Sequence, residues 1–314
     1  MVENNEKLLT VVIPYYNREN TIRETIESIE NQTRNDFDIL VVDDGSKDNV
    51  EKFINEFNKK YNNIKYVYKE NGGVSSARNL GIELSKTKYI SFLDSDDLYD
   101  KEFIKVMLDD ITQKDYDLSF CSYYYYNGEN TNKTISSFSD KNLVAEYLKG
   151  NNSTNMNCFV FKRKYLIEND LRFDESISWG EDMYFLLKSM KLTNNISVVN
   201  KHLTYYRIGG EGDNLSDYNS DSLSKDKLFV NKILDDPEIK LDSKEEKALL
   251  NYRLPALLTY GLLRLYGDNY PKEKIRKLYN IYKEDIDKFK LTFDLRSIKL
   301  MLNIVRLKVK VIIK

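Results

Sequence analysis

The chain has 314 residues, enough for one large or two modest domains. Hydrophobic residues at 41% and charged residues at 31% describe an ordinary globular composition, and a formal charge of −2 argues against a general nucleic-acid binder. A single histidine excludes a multi-His metal site, two cysteines supply neither a disulfide framework nor metal-ligand spacing, and no run of about 18 apolar residues is present to span a membrane.

The polar start M-V-E-N-N-E-K lacks the pattern of a signal peptide, so the expected compartment is the cytoplasm. Leu8 to Pro14 suits a buried strand, with Pro14 ending it and Tyr15-Tyr16-Asn17 forming a loop. Thr21 and Glu24 make a capping-box pattern for a helix whose Ile22, Ile26 and Ile29 share one face. Phe37 to Val42 predicts a second strand, closing on Asp43-Asp44-Gly45-Ser46. Asp48 is placed to cap a second helix, with Val50, Phe53, Ile54 and Phe57 inward. Ile64 to Tyr68 reads as a third strand, Asn71-Gly72-Gly73 as a turn and Ser75 to Leu84 as a third helix.

The stretch from Tyr89 to Asp97, Y-I-S-F-L-D-S-D-D, is a buried-strand run ending in three carboxylates, and a helix follows over Lys101 to Ile111. Strand–helix alternation at this short period specifies a parallel sheet covered by helices. In such sheets ligands bind beyond the carboxyl ends of the strands, where Pro14-Tyr15, Asp43-Asp44 and Asp94 to Asp97 all fall. Carboxylates crowded as Asp94, Asp96 and Asp97 are repel one another. A divalent cation would relieve that, and oxygen ligands alone point to Mg2+ or Mn2+. The same three acids also suit a solvated turn capping the next helix.

Further on, Leu118 to Tyr126, Asn157 to Lys162 and Ile196 to Arg207 are strand-like. The four tyrosines from Tyr123 to Tyr126 suit either a sheet surface or a sugar platform. Arg172 to Asp182 is a loop leading into a helix over Met183 to Met190. From about Asp221 the pattern turns helical, including Lys244 to Leu265 and Pro271 to Phe289. The expected organisation is a catalytic domain over 1–218 and a helical region over 219–314.

With these residues in view, the chain resembles the inverting glycosyltransferases of family 2. The matching segments are V-V-I-P-Y-Y-N at 11–17, N-Q-T at 31–33, I-L-V-V-D-D-G-S-K-D at 39–48, N-G-G-V-S-S-A-R-N at 71–79, F-L-D-S-D-D at 92–97 and W-G-E-D at 179–182. Within the family it is similar to bacterial enzymes that build surface polysaccharide. The resemblance implies the α/β, GT-A nucleotide-binding fold: a Rossmann-like, mostly parallel sheet with helices on both faces, then a smaller helical region.

It also implies a UDP-sugar donor, Mn2+ or Mg2+, and an acceptor hydroxyl on a glycan or lipid-linked glycan. Pro14, Tyr15 and Asn17 match the stretch covering the base. Asp43, with Asp44 beside it, matches the carboxylate accepting a hydrogen bond from the uracil imide, which cytosine cannot offer. Gly73 and Arg78 match the segment near the donor. Asp94 and Ser95 would face the ribose, Asp96 would bind the metal directly, and Asp97 would support it or bind through water. His202 is a further donor or metal candidate. Inversion needs a carboxylate base to activate the acceptor hydroxyl, and Asp182 matches it, with Glu181 orienting the acceptor or the loop. Both acids would equally favour a helix N-terminus through its dipole. Trp179, the only tryptophan, suits either stacking on a sugar or packing in the core.

Three rivals stand beside this reading. A haloacid-dehalogenase-type phosphatase needs a Thr where Leu98 stands. A phospho-receiver switch would complete its acidic pocket within one small domain. An inactive glycosyltransferase-like scaffold is opposed by the intact Asp94, Asp96 and Asp182.

The C-terminus carries a separate signal. Ile298, Met301, Leu302, Val305, Val309 and Ile312 share one helical stripe, with Lys299, Asn303, Arg306 and Lys310 beside it. That is the pattern of a helix lying on an anionic membrane. Leu300, Ile304, Leu307 and Val311 make a second strip that would pack a last helix onto its domain.

Overall fold

The computed structural model describes residues 6–209, 219–292 and 294–312. Its contacts divide into two units, Met1–Asp140 with Ser153–Gly210, and Lys141–Asn152 with Glu211–Lys314. The segment Lys141–Asn152 thus clusters with the second unit, although it precedes position 218.

The first unit opens with β1 (Leu9–Tyr15), α1 (Glu19–Glu30), β2 (Phe37–Asp44), α2 (Val50–Tyr61), β3 (Ile64–Lys69), α3 (Val74–Leu84) and β4 (Tyr89–Phe92). These strands are parallel, as the alternation specified, and lie in the order β3-β2-β1-β4. β5 (Leu98–Tyr99), α4 (Phe103–Gln113), β6 (Leu118–Tyr126) and β7 (Thr131–Lys133) follow. In the second unit comes α5 (Leu143–Leu148), and the first resumes with a 3-10 turn (Met156–Cys158), β8 (Phe159–Lys162), α6 (Arg163–Glu168), α7 (Glu181–Lys191) and β9 (Ile196–Arg207). Beyond β4 the sheet becomes mixed: β8 is antiparallel to β4 and β6, β9 is parallel to β6, and β5 closes antiparallel on β9.

Pro14 does not end β1. It lies inside the strand, buried and paired with Val42. On its other side β4 pairs no further than Val12, so no neighbouring strand calls on the N–H that proline lacks. Two helix starts also differ from expectation. α1 and α2 have no side-chain cap. The Thr21 hydroxyl donates instead to the Ser95 carbonyl at 2.8 Å, and Asp48 accepts from the Tyr15 hydroxyl.

Two packing features place the site. Helix α3 lies hard against β1, because a Cβ on Gly81 would meet Val12 Cγ1 at 2.3 Å. Only glycine permits that approach, and it draws Arg78, one turn earlier, into the interior. Phe92 of β4, Phe173 and Phe185 of α7 form a buried aromatic cluster, with Phe173 and Phe185 stacked at 3.9 Å. Truncating such a ring costs about 3–5 kcal/mol. The cluster ties the start of α7 to the end of β4.

The second unit is helical: α8 (Ser222–Asp235), α9 (Ser243–Ala248), a π-turn (Leu249–Arg253), α10 (Leu254–Gly267), α11 (Lys272–Asp287) and α12 (Leu295–Ile312). Pro255 explains the π-turn. It has no N–H for the Asn251 carbonyl four residues earlier, so the ladder widens there. The Lys290 N–H takes that carbonyl at 3.2 Å. Among the described residues no helix is long and apolar enough to cross a membrane.

Candidate active site

The acids expected to form the site lie where β2 and β4 leave the sheet and where α7 starts, and they divide into two groups. The first is built on β2. Asp43 is buried; its Oδ1 accepts the Ser46 N–H at 2.8 Å and its Oδ2 the Tyr66 hydroxyl at 2.5 Å. Burial, then Asp43, pushes the Tyr66 phenol up. Tyr15 is likewise pushed up by burial and by its bond to Asp48. Asn17, left-handed at φ 48°, accepts the Lys47 N–H at 2.9 Å through Oδ1 and donates its own N–H to Ser46 Oγ. The segments 14–17 and 43–48 are thereby locked together.

Asp44, expected to face the donor, is turned to the protein. Its Oδ1 accepts Lys69 Nζ at 2.6 Å and the Gly72 N–H at 2.9 Å, and its Oδ2 the Gly73 N–H at 2.7 Å. It therefore shapes the 71–73 turn. Gly45 makes this fit possible: φ is +83°, and a Cβ would meet the Asn71 nitrogen at 2.8 Å. Gly73, at φ +89°, opens α3 with open space where a side chain would stand.

The second group surrounds Arg78. This guanidinium is 4% exposed, donates to Asp94 Oδ1 at 2.8 Å and lies 3.5 Å from Glu181 Oε1. Burial alone would lower its pKa, but Asp94, Glu181 and Asp182 reverse that and hold it above the ordinary arginine value. Glu181 is raised by burial and by Asp182, with Arg78 opposing. Arg78 therefore unites the D-S-D-D loop with the start of α7. Next to it, Asn79 accepts the Phe173 N–H at 2.8 Å and donates to the Phe173 carbonyl at 2.9 Å, bracing the loop that leads to Glu181.

Asp94, Ser95, Asp96 and Asp97 have distinct environments. Asp94 is 33% exposed. Ser95 is buried, and its carbonyl accepts from Thr21 and Thr25, which fastens the loop to α1. Asp96 has no side-chain donor among the described residues, and burial, then Asp94, raises its pKa, with Arg18 and Arg207 partly offsetting this. Asp97 is 1% exposed, accepts the Arg207 N–H at 2.7 Å through Oδ1 and the Asn157 amide through Oδ2. Burial, then its acidic neighbours, pushes it well above the carboxylate range. Asp97 is thus a framework acid rather than an open metal ligand.

His202 stands apart from these acids. Its Nε2 pairs with the Thr134 carbonyl at 2.8 Å, and its ring lies against Tyr124 and Phe138. It precedes Arg207 on β9 by five residues, roughly 17 Å along an extended strand. It therefore cannot join Asp96 at one metal ion. Among the described residues no three His, Cys, Asp or Glu side chains converge as a preformed metal cage. Asp96, raised by burial and then by Asp94 and lacking a side-chain donor among the described residues, still fits a cation completed by phosphate oxygens and water, as Mg2+ commonly is.

Asp182 opens α7 with Glu181. Its Oδ1 accepts the Met183 N–H at 2.6 Å; no donor among the described residues reaches Oδ2. Trp179 is half-buried just before Gly180. Sequence reasoning missed Arg207, Asn157 and Tyr206. Arg207 also donates through Nε to the Asp96 carbonyl at 2.7 Å. Asn157 Oδ1 accepts the Asp94 N–H at 3.0 Å while its amide serves Asp97. Tyr206 lies between Tyr205, paired with Leu98, and Arg207, which bonds Asp97; its phenol is pushed up by burial, then by Asp97, Asp94, Asp96 and Asp182. Its place after H-L-T-Y at the end of a strand was the only signal available.

The family model described as Glycosyl transferase family 2 matches residues 10–172, from β1 through α6. The chain belongs to glycosyl transferase family 2. An uncharacterized glycosyltransferase of Rickettsia conorii is 32% identical over 88% of this chain and 45% of its own length. The Bacillus subtilis minor teichoic acid biosynthesis protein GgaA is 28% identical over 67% of this chain and 49% of its own length. The chain thus spans about half the length of these curated relatives. Among solved structures, S. aureus TarS 1-349 in complex with UDP-GlcNAc superposes with a TM-score of 0.68 at 21% identity, covering 97% of this chain and 88% of that one. The mannosyltransferase PcManGT of Pyrobaculum calidifontis, in complex with GDP-Man and Mn2+, gives 0.59 at 14%, covering 96% and 87%. These likenesses give the fold, GT-A. The family 2 match ends at residue 172, so Glu181, Asp182 and Arg207 lie outside it.

Proposed function

We propose that this family 2 chain transfers a sugar from a UDP-sugar, with inversion, to a hydroxyl of a glycan or lipid-linked acceptor in bacterial surface-polysaccharide synthesis. The observation that carries the reading is Arg78, buried between Asp94 and Glu181 at 2.8 and 3.5 Å. It joins the strand end where donors bind in such sheets to the helix start bearing Asp182. A UDP donor is supported by TarS, solved with UDP-GlcNAc, and the pathway by GgaA's role in minor teichoic acid biosynthesis.

The roles follow from what each side chain has left to offer. Asp43 retains one lone pair on each oxygen for a uracil imide, and Tyr15 and Asn17 shape that pocket's wall. Arg78 offsets part of the charge of Asp94 and Glu181, which keeps these two acids compact beside a dianionic donor. Asp96 would hold Mn2+ or Mg2+. When bound, such a cation supplies Lewis-acid stabilisation to the departing diphosphate. Asp182, through its Oδ2, takes the proton of the acceptor hydroxyl as that oxygen attacks the anomeric carbon from the face opposite the phosphate. Glu181, engaged by Arg78, orients the acceptor or the loop rather than sharing this task.

The test is UDP binding by calorimetry against CDP and GDP, with Mn2+ and with chelator. Tighter UDP binding in metal supports the reading. Equal affinity for the three nucleotides would remove the role given to Asp43.

A further inference from the structure

We propose that α12 is a docking face for an anionic lipid surface. The inference rests on the second unit alone, independent of the chemistry assigned to the first. Ser297, Leu300, Ile304 and Leu307 of α12 are buried. Leu295, Ile298, Leu302, Val305, Val309 and Ile312 are instead between 38% and 78% exposed. At 3.6 residues per turn these six fall within an arc of about 100°, the width of a stripe that normally meets another apolar surface. Lys299, Arg306 and Lys310 occupy the adjoining arc. Between Leu295 and Ile312 there is no acid.

The helix is held firmly, so the stripe is a fixed surface. Tyr266 donates its hydroxyl to the Lys310 carbonyl at 3.0 Å, and Arg276 donates through Nε to the Val311 carbonyl at 2.9 Å. Both carbonyls belong to the last turn, where helical partners run out. At the start, Asp294 Oδ1 accepts the Ser297 N–H at 2.9 Å. Lys308, on the opposite edge, is engaged by Asp287 at 2.6 Å.

Charge selects the occupant. A second copy packed antiparallel through the same stripe would set the Lys299–Arg306–Lys310 edge toward its own equivalent, and one packed parallel would set it toward the Lys308 edge, with no acid on α12 at either. Anionic headgroups supply the missing charge, and the acyl boundary accepts the stripe. That is the pattern of a helix lying in the interface plane.

Flotation of the intact chain with vesicles of phosphatidylcholine, and of phosphatidylcholine with phosphatidylglycerol, tests this. Binding is expected to the anionic vesicles only, and to weaken as salt screens it. Lys299→Gln with Arg306→Gln and Lys310→Gln should weaken binding on the order of 100-fold, since each cation near such a surface contributes roughly a factor of five. Leu302→Ser with Val305→Ser, both on the exposed stripe, should weaken it too while leaving the melting temperature unchanged. Folded wild-type protein that floats with neither vesicle, or equally with both, overturns the proposal. So does a dimer by light scattering that the serine pair dissociates, without vesicle binding.

Discussion

Arg207 donates its backbone N–H to Asp97 at 2.7 Å across 110 residues of sequence. The end of β9 thereby fixes the final acid of the F-L-D-S-D-D run, and through it the loop presenting Asp94 and Asp96. Asn157 completes the clasp by serving Asp97 and the Asp94 N–H at once. Asn157→Ala would strip one donor from a buried carboxylate and leave an amide without its acceptor. We expect a loss of roughly 2–4 kcal/mol, read as a lower denaturant midpoint. An unchanged midpoint would mean that water replaces the amide and that the clasp is incidental.

Arg78 is expected to be structural as well as functional. Removing a cation from a buried cluster leaves its acids uncompensated, which costs about 3–5 kcal/mol. Arg78→Met should lose about that much in thermal unfolding. Arg78→Lys should recover part of it, because one ammonium cannot reach Asp94 and Glu181 with the guanidinium's fork. Stability equal to wild type in the methionine variant would contradict the pairing.

Asp96 should show the opposite balance. A carboxyl raised by burial and by Asp94 binds more protons folded than unfolded. Stability then falls as pH rises from the ordinary carboxylate range near 4 through the raised value. Asp97 and Glu181 act in the same direction. Asp96→Asn removes one of the three, so in chelator its melting temperature at neutral pH should rise by about 2 °C, the shift about 1 kcal/mol brings. Its decline between pH 4 and neutrality should be shallower, and UDP binding in Mn2+ should weaken. A variant with wild-type stability and wild-type UDP affinity would return Asp96 to the role of an acidic turn.

Asp182→Asn separates base from scaffold. Turnover should fall about 10²–10⁴-fold, the usual worth of a general base. Donor affinity should stay near wild type, since Asp182 is placed to meet the acceptor. Glu181→Gln should instead alter stability through Arg78. If Asp182→Asn keeps more than a tenth of wild-type turnover, another residue removes the proton.

The sequence by itself determined the elements and their alternation, because strand and helix periodicity are local and each apolar stripe records its own burial. It determined that the first strands run parallel and that acids gather at their carboxyl edge, while their order β3-β2-β1-β4 came from the tertiary structure. The partners of those acids were decided by tertiary structure. Thr21 and Asp48 look like helix caps in sequence, yet they bond Ser95 and Tyr15, since a hydroxyl or carboxylate takes whichever partner the fold brings nearest. Asp44 looks like a ligand-facing twin of Asp43 but shapes a turn, because Lys69, Gly72 and Gly73 come in from the next strand and its loop. Adjacent Asp96 and Asp97 differ because only the Asp97 carboxylate accepts from Arg207 and Asn157, which no spacing reveals. The two apolar strips of α12 were equivalent by periodicity. Packing buried Leu300, Ile304 and Leu307 and left Leu302 and Val305 exposed, because which face of a helix meets its neighbours is set by those neighbours.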